Sequence, residues 1–406
     1  MNRTATGSVI LLSFVVAMEI VIMISPFALF FYSVFNPFLL ALNQSPATRW
    51  LTAFFLPHMI VPPNDLLKTV RVLGSVFFIA GMAVFLACAA QVYLGRLLKK
   101  GTATGGLYRF IRHPQYLGLA FAALGLAIMW PRLLTLVLLA IMLFLYYLLA
   151  KDEERRMSAR FGESYPQYIM RTGMFVPNWI ERLLARKTAL HRLLTFGRGL
   201  LILVTLLASI VGSGFLLRAY TVHSLPIDQM NGIDVVTIAQ EDIGPAKDIL
   251  PTVLADSTVA SKLNHIARDR SHRILAYFIP VDYVMQGMIA NTGDEWKLFE
   301  HHKTIGMITE YIFHPFSHLT GGHSQHMAAM KHGPEMYNSP TMKRRVIFIE
   351  VSADNEGLES ALDDFNINNE RTPLFFVDAH LHTVEILRVQ DTAAGSGWGT
   401  VPTPMF

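Results

Sequence analysis

The chain of 406 residues has one cysteine, Cys88, and it lies inside an apolar run. An intrachain disulfide and a CxxC redox or zinc site are thereby excluded. Charge is also scarce: Asp, Glu, Lys and Arg make up 16% of the residues, against about 25% in ordinary soluble domains. Acids are fewest in the first half. Residues 1–220 hold 7 Asp/Glu against 21 Lys/Arg, a balance of +14, whereas residues 221–406 carry −10. A hydrophobic fraction of 52% and a mean hydropathy of +0.38 exclude a disordered, fibrous or purely soluble protein. Because the basic half is also the apolar half, its charge reads as membrane loops facing a cytoplasm, not as a nucleic-acid surface. The acidic half has the composition of a separate water-soluble domain.

Crossing about 30 Å of hydrocarbon takes about 20 apolar residues. Five runs qualify or nearly so: Ser8 to about Phe35, about Val70 to Leu94, Gln115–Trp130, Arg132–Ala150, and about Gly199 to Leu217. The first is too long for a cleaved signal peptide and lacks a small-residue cleavage site. Glu19 lies within it, where a carboxylate is costly unless it is protonated, faces the bundle or stays near the wet interface. Trp50–Val61, closed by Pro62-Pro63, reads as interfacial or re-entrant. The third and fourth runs form a hairpin broken at Trp130-Pro131-Arg132. Arg96, Lys99, Lys100, Arg109 and Arg112 precede the hairpin, and ten Lys/Arg separate it from the last run. Both loops are therefore expected in the cytoplasm, with the N-terminus inside and residues 221–406 outside. Five crossings and an outer domain suit a bacterial inner membrane.

A hairpin returns to the side it left. It therefore brings together two stretches about forty residues apart. The first is Tyr108-Arg109-Phe110-Ile111-Arg112-His113-Pro114-Gln115-Tyr116-Leu117-Gly118. The second is Asp152-Glu153-Glu154, followed by Phe161-Gly162-Glu163-Ser164-Tyr165-Pro166-Gln167-Tyr168 and Val176-Pro177. Pro114 suits the first turn of a helix, where its missing N–H is not needed. Arg112, His113 and that helix N-terminus can hold a carboxylate. Glu153 or Glu154 can accept hydrogen bonds from hydroxyls or an ammonium group. Tyr108, Tyr116, Tyr165 and Tyr168 can stack on a purine or cover a cation. Each feature alone is ordinary in a membrane protein; their joint order is not.

That order resembles the isoprenylcysteine carboxyl methyltransferase and phospholipid N-methyltransferase superfamily of integral membrane enzymes. The resemblance covers about residues 70–180 and rests on Arg-His-Pro-x-Tyr-x-Gly, a hairpin, Glu-Glu, and Phe-Gly-x-x-Tyr-x-x-Tyr. It implies S-adenosylmethionine at the cytoplasmic face and a lipophilic acceptor entering from the bilayer. By position it makes His113, Tyr116, Gly118, Glu153 and Glu154 cofactor-site residues, with Tyr108, Pro114 and Tyr165 beside them. Arg112 and Glu154 are then expected near the transferring methyl, as the catalytic pair. Pro166 departs from the helix former expected inside the last motif. Arg132, at the far tip of the hairpin, is expected to be irrelevant to binding.

In the acidic half, strands are expected at Ile233–Ala239, His272–Pro280, Arg345–Ser352, Leu374–Asp378 and Thr383–Val389. Helices are expected over Ala246–Asp269, broken at Pro251, at about Glu295–Phe313, and at Gly357–Phe365. From His272 onward the order βαβαββ resembles the thioredoxin fold, with Pro373 as its cis-proline. The turn after the first of those strands has no cysteine, so thiol chemistry is excluded and the domain can only bind. Between His314 and Met342 lie five histidines and four methionines. His323, His326 and Met327 place imidazole and thioether donors within one turn, a set that suits copper, but the spacing fits no defined site and the segment reads more readily as a flexible polar loop.

The expected fold class is thus an α-helical membrane bundle of about five transmembrane helices followed by a soluble α/β domain of thioredoxin-like order. Its parts would be 1–69 (first helix and interfacial segment), 70–197 (methyltransferase-like core), 198–220 (last helix), 221–391 (outer domain) and 392–406 (tail). A second reading makes the membrane part an anchor with a vestigial site and gives the work to the outer domain, as a metal-handling or protein-docking module.

Overall fold

The computed structural model describes residues 23–33, 36–58, 64–98, 104–187, 198–266, 272–283, 286, 289–293, 342–352 and 363–393. The chain forms two compact units: residues 1–33 with 69–216, and residues 34–68 with 217–406. The segment 34–68, expected beside the first helix, groups with the C-terminal domain.

The first unit is helical. Among the described residues three helices are long and apolar enough to cross a bilayer: α4 (Asp65–Leu97), α6 (Leu133–Phe161) and α9 (Arg198–His223). Two shorter apolar helices are α1 (Met23–Ser33) and α5 (Pro114–Met129). At 1.5 Å per residue α5 reaches about 24 Å, less than the hydrocarbon thickness. α4 and α5 cross through glycines: a Cβ on Gly118 would stand 2.8 Å from Gly81 O and from Phe85 N. The backbones therefore touch where a side chain would separate them. Past the hairpin come two short helices, α7 (Ser164–Arg171) and α8 (Asn178–Lys187). Pro166 sits in the first turn of α7, where no backbone N–H is missed, so the helix forms despite it.

Arg132, at the tip of the hairpin, is built into the bundle. It is 1% exposed, and its Nε donates to Ser33 O at 3.1 Å, as Trp130 Nε1 does at 2.7 Å. Both side chains take up a carbonyl at the C-terminal end of α1. Arg132 is a structural residue, unsuited to serve as a neutral control.

In the second unit α2 (Asn36–Asn43) and α3 (Pro46–Arg49) lead into an irregular stretch whose Phe54 and Phe55 are buried. The stretch expected to be re-entrant is tied to the end of α9. Arg218 donates to Phe54 O and, at 2.8 Å, to Phe365 O. The sheet contains β1 (Ile227–Met230), β2 (Ile233–Thr237), β3 (His272–Pro280), β4 (Lys343–Ser352), β5 (Glu370–His380) and β6 (Ile386–Asp391), in that spatial order. Only β2 and β3 pair in parallel, joined through α10 (Ile243–Ala255) and α11 (Ser257–Asn264). β3 and β4 are buried on both faces, so they read as continuous apolar runs.

Three expectations change here. A βαβ crossover between His272–Pro280 and Arg345–Ser352 would make those strands parallel, whereas β3 and β4 are antiparallel. The thioredoxin-like order is therefore not found. No cis peptide bond occurs among the described residues; Pro373 lies inside β5, opposite Ile349 at a register shift, where a missing N–H is tolerated. The helix break falls at Asp256, whose carboxylate caps Thr258 and Val259, and α10 runs through Pro251. Glu295–Phe313, most of Gly357–Phe365, and His323, His326 and Met327 lie outside the described residues. Among the described residues no group of three or more His, Cys, Asp or Glu could hold a metal.

Asp234, in β2, and Asp364 are buried side by side, with Arg273 bonded to the first and 3.7 Å from the second. Burial first, and then the Asp234 carboxylate, push the Asp364 carboxyl up from 3.8 to about 8, against the pull of Arg273 and Arg371. The folded state therefore keeps a proton that the unfolded chain loses near pH 4. That contribution is whole below the unfolded pKa and is lost as pH rises through 8. The thermal midpoint of this unit should fall between pH 5 and 8 in the parent protein and stay flatter in Asp364→Asn. Equal slopes in the two proteins would remove Asp364 as the cause.

Candidate functional site at the base of the hairpin

Arg112 and His113 end an irregular strip just before α5. The strip is fixed by its backbone: Ile111 bridges Gly173 in parallel, Arg112 N donates to Gly173 O at 2.8 Å, and His113 N to Met174 O at 3.1 Å. The two residues thus sit against the link between α7 and α8. Glu153 and Glu154 reach them from α6, as a hairpin requires.

Arg112 Nε donates to Glu154 Oε1 at 2.5 Å, and its Nη1 to Ile169 O at 3.2 Å and to Thr172 O. The guanidinium joins the α6 carboxylate to the C-terminal carbonyls of α7. The pair expected near the reacting methyl is thus mutually bonded, which gives Arg112 a holding role. His113 is 5% exposed and lies between two carboxylates, with Nδ1 3.5 Å from Glu153 Oε2 and Nε2 3.5 Å from Glu154 Oε1. Its Nε2 makes no aligned hydrogen bond. Burial lowers the imidazole pKa, but the Glu153 and Glu154 carboxylates, each 3.5 Å from a ring nitrogen, outweigh it and raise the net value above the ordinary one.

Aromatic rings complete the site. His113 stacks on Tyr116 at 5.6 Å, and Tyr116 on Tyr146 at 5.3 Å. Phe175 leans on the imidazole at 5.9 Å. Tyr165 and Tyr168 are 5.9 Å apart, and Tyr168 Oη donates to Tyr108 O at 2.6 Å. Burial and the carboxylates Glu154 and Glu153 push the Tyr165 hydroxyl up to about 12. It stays protonated and can donate.

Of the sequence-derived residues, Tyr108, Arg112, His113, Tyr116, Glu153, Glu154 and Tyr165 meet here through these contacts. Pro114 opens α5, beside them. Gly118 is turned to α4, so its missing side chain is accounted for by helix packing. Tyr146 and Phe175 were not foreseen. Tyr146 had a signal, because 146, 150 and 153/154 share one helix face.

No curated protein and no solved structure matches the chain. The phospholipid methyltransferase family model matches residues 69–164. That span covers α4 from its second turn, the Arg112–His113 strip, α5 and α6, including Glu153 and Glu154, and it agrees with the resemblance carried by the motif.

Proposed function

We propose that the membrane unit is an S-adenosylmethionine-dependent methyltransferase acting on a lipophilic or small acceptor with a carboxylate, amine or thiol nucleophile. One observation carries the reading. Within the family-matched segment a buried imidazole is held by two carboxylates and keeps one ring nitrogen without an aligned hydrogen bond. The residues fit the cofactor. His113 Nε2 is a donor for a carboxylate, partly exposed Glu153 is an acceptor for hydroxyls or an ammonium, and Tyr165 offers a ring face for a purine or a cation, while Tyr116, stacked on His113 and Tyr146, backs the imidazole. When bound, the cofactor supplies an electrophilic methyl on a sulfonium. The chain's part is alignment and exclusion of water, the two terms such a displacement needs most. In this reading the site faces the cytoplasm of a bacterial inner membrane, and residues 221–406 lie on the other side.

Binding of S-adenosylhomocysteine tests it. His113→Ala should weaken binding by roughly ten- to hundredfold, the worth of one charge-assisted hydrogen bond. Glu153→Gln with Glu154→Gln should weaken it comparably without unfolding the bundle. Arg155→Ala is the control, since Arg155 is exposed and pairs with Asp152 on its own helix. The parent's affinity should also fall as pH rises through the raised imidazole pKa, because the charged form is then lost. Three variants that all bind like the parent would place the site elsewhere. Incubation with methyl-labelled cofactor and membrane extract then identifies the acceptor.

A further inference from the structure

α7 and α8 are too short to cross a bilayer and stand beside helices that are long enough to do so. Trp179 and Leu183, four residues apart on one face of α8, are 69% and 56% exposed, and Met170 at the end of α7 is 63% exposed. Arg171 and Arg182 are exposed with them. From 164 to 187 the sequence holds four basic residues, Arg171, Arg182, Arg186 and Lys187, and one acid, Glu181. That acid is committed: its Oε1 accepts from Met174 N at 2.5 Å. The segment therefore presents apolar side chains flanked by positive charge, the pattern of a helix lying in a headgroup layer.

The segment is also bound to the site. Asn178 Nδ2 and Arg182 Nη2 donate to Met170 O at 2.6 and 3.3 Å, while Arg112 takes the neighbouring carbonyls of Ile169 and Thr172. The last turn of α7 is thus held from one side by α8 and from the other by the Arg112–His113 strip.

We propose that α7 and α8 form a docking surface for the acidic headgroups of the adjoining lipid leaflet, with Trp179, Leu183 and Met170 entering the interface and Arg171 and Arg182 meeting the phosphates. Charge complementarity favours this occupant over a protein. Each basic side chain near a charged leaflet contributes on the order of fivefold in affinity. Docking fixes the last turn of α7 and, through it, the strip that carries His113. This consequence rests on the methyltransferase reading; the docking itself does not.

The full chain is reconstituted into vesicles of brominated phosphatidylcholine, with and without phosphatidylglycerol. The signal of Trp179 is the difference between the parent and Trp179→Phe. Quenching of that signal should be several-fold stronger in the acidic vesicles. It should lose this increment in Arg171→Gln/Arg182→Gln and keep it in Arg171→Lys/Arg182→Lys. Quenching that is absent, or equal in both vesicles, overturns the proposal, as does a Gln variant that behaves like the parent. A protein that shows the acidic increment but binds no S-adenosylhomocysteine upholds the surface and refutes the methyltransferase reading.

Discussion

Arg112→Ala should abolish measurable S-adenosylhomocysteine binding and release α7 from the hairpin. The side chain is buried, its partner Glu154 nearly so, and it satisfies two carbonyls at the end of α7. Removing one member of a buried pair costs about 3–5 kcal/mol; with His113 still 3.5 Å from Glu154, the lower end is expected here. Even the lower figure corresponds to more than a hundredfold in affinity if it falls wholly on the bound geometry. Arg112→Lys should fail to restore binding, because an ammonium cannot reach a carboxylate and two carbonyls in one plane. Glu154→Gln should be milder, since an amide oxygen still accepts from Arg112. The checks are calorimetric titration and proteolytic sensitivity of residues 161–178 in the full-length protein. A holding role predicts that binding and protection are lost together in Arg112→Ala. Lost activity with binding and protection intact would instead place Arg112 at the reacting atoms.

The contrast between Arg112 and His113 shows what sequence could and could not give. The convergence of Arg112-His113 with Glu153-Glu154 was legible, because two apolar runs with a Trp-Pro-Arg break must fold back. The acceptors of Arg112 were not. Backbone carbonyls of Ile169 and Thr172 leave no mark in the sequence, so a structural guanidinium and a reacting one look alike. Burial of Arg132 was hidden for the same reason, as its acceptor is the carbonyl of Ser33. In the second unit the strands were readable from their β-branched and aromatic runs, but their directions were not. An apolar run reads the same in either sense, and β3 and β4 turned out antiparallel. β1 was missed although Asn231-Gly232, both with positive φ, is a strong signal for a two-residue hairpin turn. Its four residues, Ile-Asp-Gln-Met, are too few and too polar to register as a strand alone.

The largest effect on the second unit is expected from Asp378→Ala. Arg345 is fully buried and receives this carboxylate in two parallel hydrogen bonds, at 2.7 and 2.8 Å. Gln286 Oε1 accepts from it at 2.6 Å, and its guanidinium lies 4.2 Å from the centre of the Phe376 ring. Arg388 donates to the same carboxylate at 3.1 Å. Arg388 also lies over the Phe376 ring, at 4.8 Å, so removing Asp378 takes their shared carboxylate from two guanidinium groups on one ring, one of them fully buried. The expected loss is about 3–5 kcal/mol, a large part of what holds a domain of this size. The pair need not be stabilising relative to apolar residues, because both ions were taken out of water. Arg345→Met with Asp378→Leu should thus recover most of what Asp378→Ala loses. Hydrogen exchange of the β4 and β5 amides in the full-length protein reads both variants. If the double variant exchanges as fast as Asp378→Ala, the pair is worth more than its desolvation cost, and the sheet depends on the charges themselves. If Asp378→Ala exchanges like the parent, water reaches Arg345, and the burial on which the argument rests is not present in solution.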